Sequence, residues 1–243
     1  DKVWEEAAFM KRLEKALPNL NTQQHTAILG AAAVAAYHAE KDVPIVDTLV
    51  CDDASVFHWL TRAMMLCWVH DGRAYKKLEP VIALHRQQLA DFRKRYWEYY
   101  HQLLAYREKP TAEECKRLES EFDILFETKT GYDDLDQRIA KTRTKKISLL
   151  QVLQHPELPL HNNASELAVR QRVRKRDVSF GPRTQLGLQA WDTFMTLADT
   201  ARKLGISFYA YIRDRVSGTN QIPPISILVT KRAHELNLGW SWG

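Results

Sequence analysis

The stretch VPIVDTLVCDD, residues 43–53, decides the fold. Residues 43–51 are short, β-branched and apolar, and carboxylates follow at once. That is the pattern of a buried strand running out to a polar edge. Asp52 and Asp53 therefore stand at the C-terminal end of a strand. Consecutive strand residues point to opposite faces, so only one of the two faces a common site. Asp52 directly follows the apolar run and is the choice. A second apolar run, AMMLCWV over 63–69, gives the next strand, with a short helix expected over 55–62.

Outward from these strands the pattern turns helical. Upstream, Val3, Ala7, Met10, Leu13 and Leu17 recur at helical spacing, and Pro18 stops the run. Thr22 is expected to cap a second helix reaching about Glu40. Downstream, 75–153 is helical throughout, with a break at Lys109-Pro110-Thr111. There Thr111 and Glu114 form the signature of a capping box. A second break is expected at 129–131. Pro156 and Pro159 mark a loop, and a helix follows over about 163–171. Next comes the basic segment RVRKRDVSFGPRTQ, with a turn at Gly181-Pro182, and then a helix over 186–203 that Gly205 ends. Residues 207–216 form a further helix, and the Pro-containing remainder from 218 reads as an irregular tail.

Composition bounds the function. The chain has 243 residues and a formal net charge of +5, enough for a real core and mildly suited to a polyanionic partner. Its three cysteines, Cys51, Cys67 and Cys115, are odd in number and irregularly spaced, so a reducing cytosol rather than a disulfide framework is expected. No apolar run approaches the ~20 residues that span a bilayer.

Two carboxylates more than a hundred residues apart carry the chemistry. Asp52 ends a strand, and Glu166 lies near the start of the helix after the proline loop. Such pairs bind hard divalent cations. Taken alone, each also has a plain structural reading: Asp52 as a cap for the following turn, and Glu166 as a first-turn carboxylate favoured by the helix dipole. Cys67 and His70 have Cys-x-x-His spacing. No second ligand pair accompanies them, so they read as a core thiol and a histidine beside the site rather than as a zinc site.

A resemblance sharpens this reading. The segment from Leu158 to Val216 resembles the C-terminal signature of transposases of the insertion-sequence-66 type, through Asn162, Asn163, Glu166, Arg170, Gly181, Thr200, Ala201, Gly205, Tyr209, Tyr211 and Ile212. CWVHDGRAYKKL resembles an upstream segment of the same family through Cys67, Trp68, His70 and Arg73. The chain departs from that pattern at His161, where an Asp is usual, and at Leu167, where an Arg follows the Glu.

The resemblance implies an α/β, RNase H-like core interrupted by a large helical insertion, and an Asp-Asp-Glu triad. The triad would hold two Mg²⁺ or Mn²⁺ ions for DNA cleavage and strand transfer. Asp52 would be the second carboxylate and Glu166 the third, both catalytic and metal-binding. Cys67, His70, Arg73, Asn162 and Asn163 would shape the site. The first Asp is expected upstream of residue 1, and this polypeptide alone is expected to lack activity. The expected division is 1–74 and 156–217 for the core, 75–155 for the insertion and 218–243 for the tail.

Arg170, Arg172, Arg174, Lys175, Arg176 and Arg183 form the densest basic cluster and are the expected DNA contacts. The basic residues of 138–146 are a second candidate. The run FRKRYWEYYH at 92–101 suits a packed aromatic face better than base stacking. The implied partners are transposon ends and target DNA, with a homo-oligomer as the active assembly and no membrane, in the bacterial cytoplasm at the nucleoid. The competing reading is a non-catalytic DNA-binding or assembly protein derived from a decayed transposase.

Overall fold

The computed structural model describes residues 4–41, 45–57 and 60–236. In chain order these form α1 (Glu6–Ala16), α2 (Thr22–Ala39), β1 (Thr48–Cys51), a 3₁₀ turn (Ser55–Phe57), β2 (Ala63–Leu66) and α3 (Trp68–Lys76). There follow α4 (Ala83–Glu108), α5 (Ala112–Phe126), α6 (Asp133–Arg143), α7 (Lys146–Leu149) and α8 (Gln151–Gln154). The last four are α9 (Asn163–Ser179), α10 (Gln185–Lys203), α11 (Phe208–Val216) and α12 (Ile225–Glu235). The described residues are thus mostly helical, with one two-stranded parallel sheet. They divide into two compact units, 48–189 and a second made of 1–47 with 190–243.

In the first unit β1 and β2 run parallel, with Cys51 opposite Leu66. Among the described residues the expected strand over 43–51 is formed by its last four, and 42–44 lie outside the described residues. The second strand stops at Leu66 rather than Val69, because Trp68 already begins a helix. Among the described residues the expected helix over 55–62 is a short 3₁₀ turn, and 58 and 59 lie outside the described residues.

The core is the aromatic interior of the helical region. Trp68 is fully buried among Tyr96, Tyr99, Phe122 and Phe126, at ring-centroid distances of 5.5, 5.5, 6.3 and 6.4 Å. Leu89, Phe92, Tyr96, Tyr99, Tyr100, Leu103 and Tyr106 form the buried stripe of α4 at three- and four-residue spacing. This is the packed aromatic face expected of 92–101. Large rings bury much apolar area but carry polar tips that need partners. The indole N–H of Trp68 donates to the Leu149 carbonyl (2.9 Å). The hydroxyls of Tyr96, Tyr99 and Tyr106 donate to the carbonyls of Trp68, Leu118 and Leu153 at 2.8, 2.7 and 2.8 Å. Gly72 is required where α3 crosses α4: a Cβ there would lie 2.9 Å from ring atoms of both Tyr96 and Trp97.

Turn chemistry sets the helix ends. Thr111 caps α5, accepting the Glu114 N–H at 3.2 Å. At the second break Gly131 takes φ 83°, and Asp136 gathers the Thr130 hydroxyl (2.7 Å) and the N–H groups of Thr130 (2.8 Å) and Gly131 (3.2 Å). Burial alone would raise the Asp136 carboxyl, but these donors hold it below its ordinary value.

In the second unit Asn21, not Thr22, caps α2, in a reciprocal box with Gln24. Gly205 (φ 74°) ends α10, and the Ile206 N–H reaches back to the Ala201 carbonyl (2.8 Å). The remainder from 218 is not irregular, since Ile225–Glu235 is helical. Buried Asp214 builds the corner before it, accepting from the Thr219 hydroxyl (2.7 Å) and from the N–H groups of Gln221 (2.8 Å) and Ile222 (3.3 Å). No helix among the described residues is long and apolar enough to cross a membrane.

Candidate active site

The site is assembled by the hydrogen bonds that continue the sheet. The Cys67 N–H donates to the Cys51 carbonyl (2.9 Å), and the next N–H, that of Trp68, donates to the Leu160 carbonyl (3.0 Å). The chain thus leaves the sheet into α3, runs through α4 to α8, and returns beside its point of departure. The return leads directly into α9, whose N-cap is Asn162. The first two turns of α3 and the first turn of α9 become neighbours for this reason.

His70 and Arg73, three residues apart on α3, share a face, and that face meets Glu166. His70 Nε2 lies 3.2 Å and an Arg73 guanidinium nitrogen 3.6 Å from Glu166 Oε1. The same guanidinium nitrogen lies 3.2 Å from His70 Nε2. The Glu166 side chain is only 26% exposed. Its Oε1 is enclosed against these two nitrogens and makes no hydrogen bond. His70 Nδ1, His161 Nδ1 and Asn162 Oδ1 are likewise enclosed without hydrogen-bond partners. The start of α9 is therefore surrounded by polar atoms with unspent bonding capacity.

Asp52 stands just past the end of β1, where one carboxylate oxygen accepts the Ala54 N–H (3.3 Å) in a tight turn. Asp53 points elsewhere: its Oδ2 lies 2.6 Å from Lys145 Nζ. Burial first, then the charges of Asp52 and Asp53, push the Cys51 thiol up to about 11. Cys67 is buried at the N-terminus of α3, where it packs as part of the core wall. Asn163 is exposed on the first turn of α9.

The basic segment is more regular than its sequence suggests. The helix expected over 163–171 runs on to Ser179, and only then do Phe180 (φ 58°) and Gly181 (φ 71°) turn the chain. Arg170, Arg172, Arg174, Lys175 and Arg176 therefore share one exposed helix with Glu166, and Arg183 follows in the loop. At 100° per residue they do not form one stripe. Arg170 follows Glu166 on its own face at four-residue spacing, about 6 Å along the axis, and Arg174 and Arg176 flank that face at about 80° on either side. Arg172 and Lys175 project from the far side.

One group escaped the reading of the sequence. Asp71 is buried, its side chain 4% exposed, and pairs with Arg138. It also accepts from the Thr142 hydroxyl (2.8 Å), which in turn accepts from the Tyr75 hydroxyl (2.6 Å). Tyr75 is raised well above its ordinary value, chiefly by burial. The signal was present: Asp71 lies three residues after Trp68 and four before Tyr75, on the buried face of α3. Its partners also account for much of the 138–146 run. Arg138 and Lys145 face Asp71, and Lys146 pairs with Asp123 at 2.8 Å.

Carboxylate oxygens such as those of Asp52 and Glu166 are the ligands that hard divalent cations prefer. Among the described residues no group of three or more His, Cys, Asp or Glu side chains is gathered closely enough to hold a metal.

Comparison with known proteins identifies the lineage. The model of the family described as "Transposase IS66 family" matches residues 11–190. The chain is 37% identical over 186 residues to "Uncharacterized protein y4jO" of Sinorhizobium fredii (strain NBRC 101917 / NGR234). That alignment covers 76% of this chain and 57% of the relative, so the chain spans little more than half of that protein's length. No solved structure matches the chain significantly.

Proposed function

This chain belongs to the IS66 transposase family, and we propose that it forms part of the catalytic domain of an enzyme that cleaves transposon ends and transfers them to target DNA. In this reading Asp52 and Glu166 are the second and third carboxylates of an Asp-Asp-Glu triad whose first member is not among the described residues. β1, β2 and α9 belong to an RNase H-like core, and 75–155 is the insertion. The observation that carries the reading is the enclosed Glu166 Oε1, which makes no hydrogen bond and sits on the helix reached directly from the sheet. Two parallel strands with a carboxylate at the end of the first, and a helical excursion closed by the Trp68–Leu160 hydrogen bond, support it further.

Asp52 and Glu166 would hold Mg²⁺ or Mn²⁺, two ions in the complete site, which activate the attacking oxygen and stabilise the leaving one in phosphodiester transfer. The chain's own residues supply the surroundings. Arg73 offsets the charge of Glu166, and His70 packs against the same oxygen. Arg73, half exposed, is available to a substrate phosphate. Arg170, flanked by Arg174 and Arg176, extends the face of Glu166 as a phosphate contact, while Arg172, Lys175 and Arg183 meet DNA backbone from the other sides of the helix and the following loop. Cys67, Asn162 and Asn163 shape the walls. DNA is the partner, in an assembly of several copies.

The test is cleavage of DNA bearing the element's ends by the full-length protein. Cleavage should require Mg²⁺ or Mn²⁺, stop on chelation, return on adding metal, and be lost in Glu166→Gln. DNA binding without cleavage under either metal would favour the non-catalytic DNA-binding or assembly protein.

A further inference from the structure

The second unit holds an arrangement that plays no part in the site around Glu166. α10 ends at Lys203, and four residues, 204–207, lead into α11. Gly205 takes φ 74° at the second of them, with nothing within 4 Å of where a Cβ would stand, so the backbone and not the space requires glycine. The Ile206 N–H returns to the carbonyl of Ala201, which is fully buried. Ser207 then caps α11, its hydroxyl accepting the Ala210 N–H (3.3 Å). A buried alanine, a short turn built on glycine and a capped second helix are the parts of a helix-turn-helix unit.

α11 keeps its two faces apart. Tyr211 and Asp214 are buried. The Tyr211 hydroxyl accepts the Ile225 N–H (3.3 Å), its ring carries the Arg215 guanidinium at 5.2 Å, and Arg215 pairs with Asp214 (3.0 Å). On the opposite side, at four- and then three-residue spacing, stand Tyr209, Arg213 and Val216. Tyr209 is 74% and Val216 84% exposed, and among the described residues the Arg213 side chain makes no hydrogen bond or ion pair. An aromatic ring, a cation and an aliphatic group thus share one outward row. The row spans about 10 Å, the rise of about three base pairs, and the major groove of DNA is wide enough to admit a helix. The charge has the right sign: Arg202, Lys203, Arg213 and Arg215 outnumber Asp199 and Asp214, and Asp214 is buried.

We propose that α11 is a sequence-reading helix that enters the major groove of duplex DNA. Arg213 donates to the acceptor edge of a guanine, and Tyr209 and Val216 pack on the neighbouring bases. The proposal stands on the second unit alone and does not rest on Asp52 or Glu166 as metal ligands. It divides the work between two helices: the arginines of α9 grip phosphates of any sequence, and α11 chooses the sequence.

The test is selection from a pool of random duplex DNA by the full-length protein, followed by affinity measurements on the selected duplex and on random-sequence duplex. Wild type should enrich a site containing a guanine that Arg213→Ala no longer selects. Arg213→Ala and Tyr209→Ala should each bind the selected duplex about tenfold or more weakly, yet bind random-sequence duplex within about threefold of wild type, with the melting temperature unchanged. Arg213→Lys keeps the charge but not the paired donors, and should lose the guanine preference too. Placing 7-deazaguanine at that position should weaken wild type about tenfold and leave Arg213→Ala unaffected, which loss of a phosphate contact would not produce. The wild-type half of that comparison depends on no variant folding.

Variants that select the wild-type sequence with wild-type affinity would overturn the proposal. So would a wild-type protein that enriches no sequence, or one indifferent to 7-deazaguanine at every guanine of its site. A changed oligomeric state in Tyr209→Ala or Arg213→Ala, read by sedimentation with the selected sequence unchanged, would also overturn it and make this row a contact between copies of the chain.

Discussion

The interior formed by α3 to α8 and the helix α9 are built on opposite principles. The first buries Trp68, Tyr75, Tyr96, Phe92, Phe122 and Phe126 almost completely and ends its polar tips on backbone carbonyls or on Thr142. The second has no buried residue, leaves Leu167, Val169, Val173 and Val178 exposed, and presents a turn-by-turn array of arginines. The buried aromatic packing lies in α3 to α8, and the helix that carries Glu166 contributes none of it. The two meet at His70, Arg73 and Glu166, where a rigid wall holds a carboxylate on a lightly packed helix.

This contrast is open to direct attack. Trp68→Ala removes the ring around which the interior is arranged and should cost about 3–5 kcal/mol, read by chemical denaturation. Val173→Ala on α9 should change stability by no more than about 0.5 kcal/mol in the same measurement. Equal losses would erase the distinction between the two regions. Next in size, Arg170→Ala and Arg174→Ala should each weaken DNA binding and lower the salt dependence by about one unit of slope, with melting unchanged. An unchanged slope would show that these arginines are only a solvated face.

Thr111→Ala removes the cap of α5 and should cost about 1 kcal/mol, since the Glu114 N–H loses its acceptor. The smallest effect is confined to acid. The folded value of Asp136 is depressed, so its contribution is fully present above the unfolded value of about 3.9 and is lost as pH falls through the folded one. Asp136→Asn should therefore flatten the acid limb of the stability curve, and an unaltered limb would contradict the role of the Thr130–Gly131 turn.

The sequence made some of this legible and hid the rest for physical reasons. The helical stretch over 75–153, the Thr111 cap and the Gly131 and Gly205 breaks follow from periodicity and local turn chemistry, which residues within a few positions decide. The strand ends do not: Trp68 is apolar enough to extend β2, but burial against α4 and α5 makes it the first residue of α3 instead. The basic segment after Gln171 hides a helix because it lacks any apolar stripe. The helix over 225–235 hides behind Pro223 and Pro224, since its corner is built by Asp214 across the turn. Motif resemblance singles out Glu166. Its contact with His70 and Arg73, and the hold of Lys145 on Asp53, depend on a long excursion returning to its origin, which no local pattern encodes.

The central claim is that the enclosed oxygen of Glu166 is held ready for a divalent cation. It is tested most directly by titrating Mn²⁺ into the full-length protein and its Glu166→Gln variant, reading bound ion by electron paramagnetic resonance. The account predicts that the variant loses about tenfold or more in Mn²⁺ affinity while melting at the same temperature and binding DNA as before. Undiminished Mn²⁺ binding by the variant, or a loss that appears only together with unfolding, would contradict it.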